Sequence, residues 1–317
     1  MHRLTKPETI SFYASLIDAC SSAKSLRNLK QIHARTVRLG ISSNDFIRTK
    51  LVSSYASCAQ MREAHIIFSF TIRQPTFLYN SLIRAYSSLN QFSRSLSIFH
   101  LMIAAQKPID RQTLPVVLKS CAGLLNLRLG KQVHVAILIN GFSLDLANNN
   151  ALINLYAKCG HLDNARKVFD GMTVRNEISW SAMISGYANL GEAWEGFKLF
   201  ESMVEAGVKV DGMMFTAILT ACSHGGFLEK GREYFELMEK RFGIKPGLEH
   251  YTTMVAMLVS AGLLEEAEKI MTRMEFEPDE ALWGLLLAAR RRIHDRDSGQ
   301  GNCLNICKNA DTLGSKR

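Results

Sequence analysis

Apolar residues recur along this chain at spacings of three and four, broken at short intervals by a glycine, an asparagine or a small residue. The clearest stretch runs from Asn150 to Met172, NALINLYAKCGHLDNARKVFDGM. In its second half Leu162, Ala165, Val168, Phe169 and Met172 fall on one helical face. Gly160 separates the two apolar runs, where a helix end needs a residue that tolerates the left-handed conformation. Asp163 sits in the first turn of the second run, where a carboxylate favours the free N–H groups. The pattern predicts two short helices around a glycine. Such a hairpin cannot bury its apolar face alone and needs copies stacked beside it.

The copies are present. At an offset of 101 residues Tyr55 falls on Tyr156, Phe68 on Phe169, Tyr86 on Tyr187, Phe99 on Phe200 and Asp110 on Asp211. His33 falls on His134 inside KQIH and KQVH, Cys20, Cys121 and Cys222 keep the same interval, and so do Cys58 and Cys159. The returning aromatic and turn residues divide each period into hairpins of 35, 31 and 35 residues. The units read as 10–44, 45–75, 76–110, 111–145, 146–176, 177–211, 212–247 and 248–279. Ala59, Asn90, Gly160, Gly191 and Gly262 stand at turns, with Asn the next-best residue to Gly for that backbone. Residues 1–9 form an N-terminal segment, a candidate remnant of a targeting peptide. A further helix, ALWGLLLAARRRIH, follows the last unit, and residues 295–317 carry no helical period and read as a disordered tail. Strand signals are absent.

Composition narrows the class. A hydrophobic share of 47% fills the thin continuous core of a repeat array. A net charge of +9 and a pI near 9.2 point to a polyanionic partner, nucleic acid first, or to a basic protein with no specific partner. Five of the seven cysteines keep repeat register, which fits small residues in helix packing and a reducing compartment. No apolar run approaches the roughly 20 residues needed to span a bilayer, so no membrane partner is expected.

The units LINLYAKCGHLDNARKVFDGM, TLPVVLKSCAGLLNLRLGKQVH, LTACSHGGFLEKGREYFELM and LEHYTTMVAMLVSAGLLEEAEKIM resemble plant pentatricopeptide repeat (PPR) proteins. The alternation of 35 and 31 residues is similar to their PLS subclass, and the resemblance covers residues 10–294. Tetratricopeptide repeats, at about 34 residues, carry a W…LG…Y pattern that is not seen here and do not alternate in length. The resemblance implies an all-α fold, a right-handed α-solenoid superhelix of helix-turn-helix repeats. It further implies binding of single-stranded organellar RNA, one base per repeat. PLS members mark sites of cytidine-to-uridine editing. The stretch from Trp283 to His294 resembles the start of their E region, here cut short, which engages a deaminase or other editing-complex protein in trans. The subclass implies a mitochondrial location, with the plastid as alternative.

In the family the fifth and last residues of a repeat select the base and the second stacks against it. Carried onto this chain, Asn80 with Asp110 implies uridine and Asn150 with Asn176 a pyrimidine, cytidine first. Ser181 with Asp211 implies guanosine, as does Thr252 with Asp279. Phe77, Ala147 and Ile178 fall at the stacking position. Residue type alone leaves each Asn or Asp open as a helix cap or turn residue. Thr49 with Pro75, Pro115 and Ala14 depart from the pattern, and their repeats are expected to pack or space the RNA. The expected element is 5′-U-n-Y-G-n-G-3′, with an edited cytidine four nucleotides beyond it.

Catalytic chemistry is not expected. None of the nine histidines is followed two residues later by Glu, as a zinc deaminase needs, and so the DYW-type deaminase of many relatives is missing. Cys303 and Cys307 are spaced unlike a Cys-x-x-Cys pair and read as free thiols. Glu265 and Glu266 read as a solvent-facing pair. No cofactor is implied. Two other readings stay open: a splicing, processing or stability factor for an organellar transcript, and, from a different class, a scaffold that holds an acidic peptide. The Asn, Asn, Ser series at one slot favours RNA over a peptide.

Overall fold

Eight helical hairpins follow one another in the computed structural model, which describes residues 6–291. They are α1 (Lys6–Ser22) with α2 (Leu26–Arg38), α3 (Asp45–Ser57) with α4 (Met61–Ser69), α5 (Thr76–Ser88) with α6 (Phe92–Ala104), and α7 (Thr113–Gly123) with α8 (Leu127–Ile139). Then come α9 (Leu146–Lys158) with α10 (Leu162–Asp170), α11 (Glu177–Asn189) with α12 (Ala193–Glu205), α13 (Gly212–Gly225) with α14 (Leu228–Lys240), and α15 (Leu248–Ser260) with α16 (Leu264–Thr272). Residues 280–291 are also helical. Among the described residues there is no strand. The fold is an all-α repeat solenoid in kind. It falls into two units divided between Arg175 and Asn176.

Within each unit a hairpin touches its chain neighbours and, among the described residues, no hairpin further away. First helices pack on first helices, α1 to α3, α5, α7 and α9 in one unit and α11 to α13 and α15 in the other. They are accordingly the more buried: α3 buries Ile47, Leu51, Val52 and Tyr55, whereas the second helix α10 buries only Leu162, Ala165 and Phe169. A stripe of small buried residues, Ala64, Ser95, Gly130, Ala165, Gly196, Gly231 and Ala267, runs through the second helices from α4 to α16, with Leu29 at the matching place in α2. A methyl group at Gly130 would come within 2.3 Å of the Leu155 side chain.

Each hairpin turns by the same device. One residue per turn has positive φ: Lys24, Ala59, Asn90, Leu125, Gly160, Gly191, Gly226 and Gly262. The next residue then donates its N–H to a carbonyl five positions back, as His161 does to Tyr156 at 2.8 Å and Gln91 to Tyr86 at 2.9 Å. This is the Schellman closure, which satisfies carbonyls the helix end leaves open. Gly160 takes φ +77° without a Cβ penalty, whereas Leu125 is held at +52° with one.

The alternation in length resides in the second helix. It has 13 residues in α2, α6, α8, α12 and α14 but 9 in α4, α10 and α16. The loss of four residues is about one helical turn. The long helices are followed by a second left-handed residue, Gly40, Gln106, Gly141, Gly207 or Gly243. Two of the short helices, α4 and α10, are closed instead by a side chain. Gln74 donates to the Phe68 carbonyl at 2.9 Å, and Arg175, at the matching place, donates to the Phe169 carbonyl at 2.9 Å. The Arg175 guanidinium also lies 4.7 Å from the Phe169 ring centre.

Helix α1 begins at Lys6, inside the segment set apart as an N-terminal remnant. The tail 295–317, with Cys303 and Cys307, lies outside the described residues. Cys20, Cys121 and Cys222 are buried as expected of packing residues, and burial pushes the Cys121 and Cys222 thiols up to about 12. Cys58 and Cys159 are partly exposed. Glu265 is exposed, and Glu266, partly exposed, pairs with Arg232 at 2.6 Å. No described helix is long and apolar enough to cross a membrane. No cluster of three or more His, Cys, Asp or Glu among the described residues could hold a metal ion.

Candidate functional site

The first five residues of the first helices carry the candidate residues, and ahead of six helices a short polar side chain anchors the start. Asn44 accepts from Phe46 N at 3.0 Å, Asp110 from Thr113 N at 2.9 Å, Asp145 from Asn148 N at 3.0 Å, Asn176 from Ser179 N at 3.1 Å, Asp211 from Met214 N at 2.9 Å, and Asp279 from Leu282 N at 2.9 Å. The closing residues are therefore helix caps, the ordinary use of Asn and Asp at such a place. A cap uses one carboxylate oxygen and leaves the other for a second partner.

In one hairpin that second partner is Asn80. It lies inside α5, 8% exposed, and its Nδ2 donates to Asp110 Oδ2 at 2.8 Å. The Thr113 hydroxyl lies 2.6 Å from Asn80 Oδ1 and 2.8 Å from Asp110 Oδ1. A hydroxyl has one proton to give. Asp110 Oδ1 already accepts the backbone N–H groups of Gln112 and Thr113, so the proton is best used by Asn80 Oδ1. The carboxylate admits only the N–H end of the amide, which decides which end of the amide faces it. One N–H and one acceptor lone pair of Asn80 are left over. Burial alone would raise the Asp110 pKa, but the hydrogen bonds from Thr113, Asn80 and Gln112 together hold it below the usual carboxylate value.

The other expected pairs differ. Ser181 lies within α11 and Asp211 caps α13, and no hydrogen bond joins them among the described residues. Thr252 gives its hydroxyl to the Leu248 carbonyl of its own helix at 2.8 Å, and it is likewise not bonded to Asp279. Both pairs are separate caps and helix residues in this state because Ser and Thr are too short to reach the capping carboxylate. Asn150, partly buried in α9, and Asn176, the cap of α11, fall in different units.

The expected stacking residues are all exposed: Phe77 by 48%, Ile178 by 61%, and Ala147. Phe46 and Met213, which the sequence did not single out, sit two places after a closing residue in the same way and are also exposed. Apolar side chains left in solvent at one recurring place need a reason, since a core would have taken them.

Two further residues of the site escaped sequence reasoning. Thr113 is one. The other is His250, whose Nε2 lies 2.8 Å from the Gly212 carbonyl and 3.2 Å from the Thr216 hydroxyl. Its Nδ1 accepts the Gly247 N–H at 3.0 Å, so Nε2 carries the proton. Their partners lie 33 and 34 residues away, beyond the reach of any local pattern.

Comparison with known proteins accords with this architecture. The family model described as PPR repeat matches residues 77–105, 150–176, 178–208 and 249–277, and the pentatricopeptide repeat domain model matches 198–248. A pentatricopeptide repeat-containing protein of Arabidopsis thaliana is 38% identical over 277 residues, 87% of this chain and 45% of that protein. One named mitochondrial is 37% identical over 88% of this chain and 44% of its own length, and one named chloroplastic is 33% identical over 94% and 42%, both from Arabidopsis thaliana. The chain thus spans less than half the length of these relatives. Among solved structures, the pentatricopeptide repeat protein PPR10 in complex with an 18-nt psaJ RNA element superposes with a TM-score of 0.73 at 15% identity, covering 90% of this chain and 43% of that one.

Proposed function

The chain belongs to the pentatricopeptide repeat family, and on that premise we propose that it binds single-stranded RNA sequence-specifically, one base per hairpin, with the unit divisions read from the sequence. The observation that carries this reading is the Asn80 network. An amide held by Asp110 and Thr113, with one N–H and one acceptor left, matches the edge of uracil, which offers an N–H beside a carbonyl. Phe77 and Ile178 supply apolar faces on which neighbouring bases stack. The charge of +9 serves the phosphates.

At the finer level the reading is recognition of C-to-U editing sites in an organellar transcript, in the mitochondrion first. The nine-residue second helices recurring at every third hairpin support the PLS assignment. The relatives named mitochondrial and chloroplastic support an organelle. A deaminase acting in trans would meet the helix at 280–291, where Trp283 and Leu287 are exposed. A processing or stability factor would use the same RNA-facing residues, with binding alone as its activity.

A gel shift of the full chain separates RNA from peptide binding. One single-stranded RNA carries U-n-C-G-n-G and the other the same bases shuffled. The reading expects about tenfold preference for the first, or roughly 1.4 kcal/mol. Equal binding to both overturns the base assignments. Absence of binding to either overturns RNA as the ligand and leaves a peptide as the alternative.

A further inference from the structure

We infer that base selection by a hairpin depends on a residue of the next one: Thr113 is a positioning residue for Asn80, and the site of Thr113 is a third determinant of specificity. The inference rests on the RNA-binding reading above and deepens it. The capping carboxylate decides which end of the Asn80 amide faces it, but a single bond to Asp110 leaves the side chain free to swing about that contact. The Thr113 hydroxyl, 2.6 Å from Oδ1, removes that freedom. Uracil and cytosine differ by the placement of donor and acceptor along one edge. A clamped amide meets only one of those arrangements well, whereas a swinging amide adjusts to either.

The same place is used in two other hairpins, each in its own way. His250 stands one hairpin beyond Thr216 as Thr113 stands beyond Asn80; its Nε2–H goes to the Gly212 carbonyl at 2.8 Å, to which the Thr216 hydroxyl also donates at 3.2 Å, so the imidazole fixes the backbone turn on which Thr216 rests and lies 3.2 Å from its hydroxyl. There the closing residue is Gly247, which has no side chain to offer, and the imidazole ties the two hairpins together instead, its Nδ1 accepting the Gly247 N–H and its Nε2–H given to Gly212. Asn148 stands 33 residues beyond Pro115, the interval that separates Thr113 from Asn80. Proline has no side-chain donor or acceptor. Asn148 is 0% exposed and neither its Oδ1 nor its Nδ2 has a hydrogen-bond partner. A buried amide without partners is costly. It is explained by a slot built to clamp a neighbour that, in this hairpin, has nothing to clamp.

The test measures binding of the full chain to U-n-C-G-n-G RNAs in which the first base alone is U, C, A or G. Thr113→Val keeps the shape and removes the hydroxyl, and Thr113→Ser restores it. The inference expects wild type and Thr113→Ser to prefer U over C by about tenfold, and Thr113→Val to lose most of that ratio while its preferences at the other positions stay. A Thr113→Val protein that discriminates as well as wild type overturns the inference alone. Equal loss in Thr113→Ser and Thr113→Val also overturns it, since packing rather than the hydroxyl would then be at work. A wild-type chain indifferent to that base overturns the Asn80 reading and the inference together. In a second variant, Pro115→Asn restores a partner for Asn148 beside Asp145. A new preference for U at the second base is expected, and a folded variant without one contradicts the slot's role.

Discussion

Asn80 is the residue on which the reading turns, because its two polar ends are both assigned by neighbours. Exchange for Ser shortens the side chain and replaces the amide by a single hydroxyl, the residue type found at Ser181. Asn80→Ser should shift the preferred first base from U toward G, read by competition binding with the four single-base RNAs. Unchanged preference would show that Asn80 does not face the base. The His33–Tyr55 and His134–Tyr156 pairs, at 3.0 and 2.8 Å, make a different prediction. Burial lowers both imidazole pKa values from the ordinary 6.5. As pH falls below that value the unfolded chain takes up protons first, so stability drops until the folded rings titrate too. Denaturation midpoints should fall between about pH 7 and about pH 5. His33→Gln with His134→Gln should flatten the profile, and a profile identical to wild type would contradict the assignment.

At the scale of the element, the hairpin turn decides how much the sequence reveals. Gly160, Gly191, Gly262 and Asn90 announce their turns, because few residues accept positive φ. Lys24 and Leu125 do the same job with no such signal; stacking of the hairpins holds them there. Gly160→Ala should therefore destabilise the protein by about 1 kcal/mol, since the turn is open around it and only the backbone objects. Leu125→Gly should act in the opposite sense by up to about 1 kcal/mol, strain relief outweighing the entropy of glycine. Thermal denaturation of the two variants checks both signs; a stabilising Gly160→Ala would refute the strain argument. The caps at Asp110 and Asp211 were legible in the same way, as short polar residues before an apolar run. The clamps at Thr113 and His250 were not. They join residues of successive hairpins, and the sequence records only that Thr and His stand where Ile47, Leu78, Met214 and Leu282 bury an apolar side chain in other units.

At the scale of the molecule, each hairpin packs only on its chain neighbours within its unit, so on the proposed reading specificity is a sum of local choices, each made by a hairpin together with the one that follows it. Phosphate contacts make that sum salt-dependent. Log affinity should fall linearly with log salt, by about 0.7 per phosphate neutralised on a single strand. The ratio between matched and shuffled RNAs should change far less, because base contacts release few counterions. A flat salt profile would remove the phosphates from the account.

The most direct measurement is selection of RNAs by the full chain from a random single-stranded pool, followed by sequencing of the bound fraction. The account predicts enrichment of 5′-U-n-Y-G-n-G-3′, with the first U strongest because Asn80 is the reader held from both sides. Enrichment of an unrelated element, or of none above the input, would contradict it.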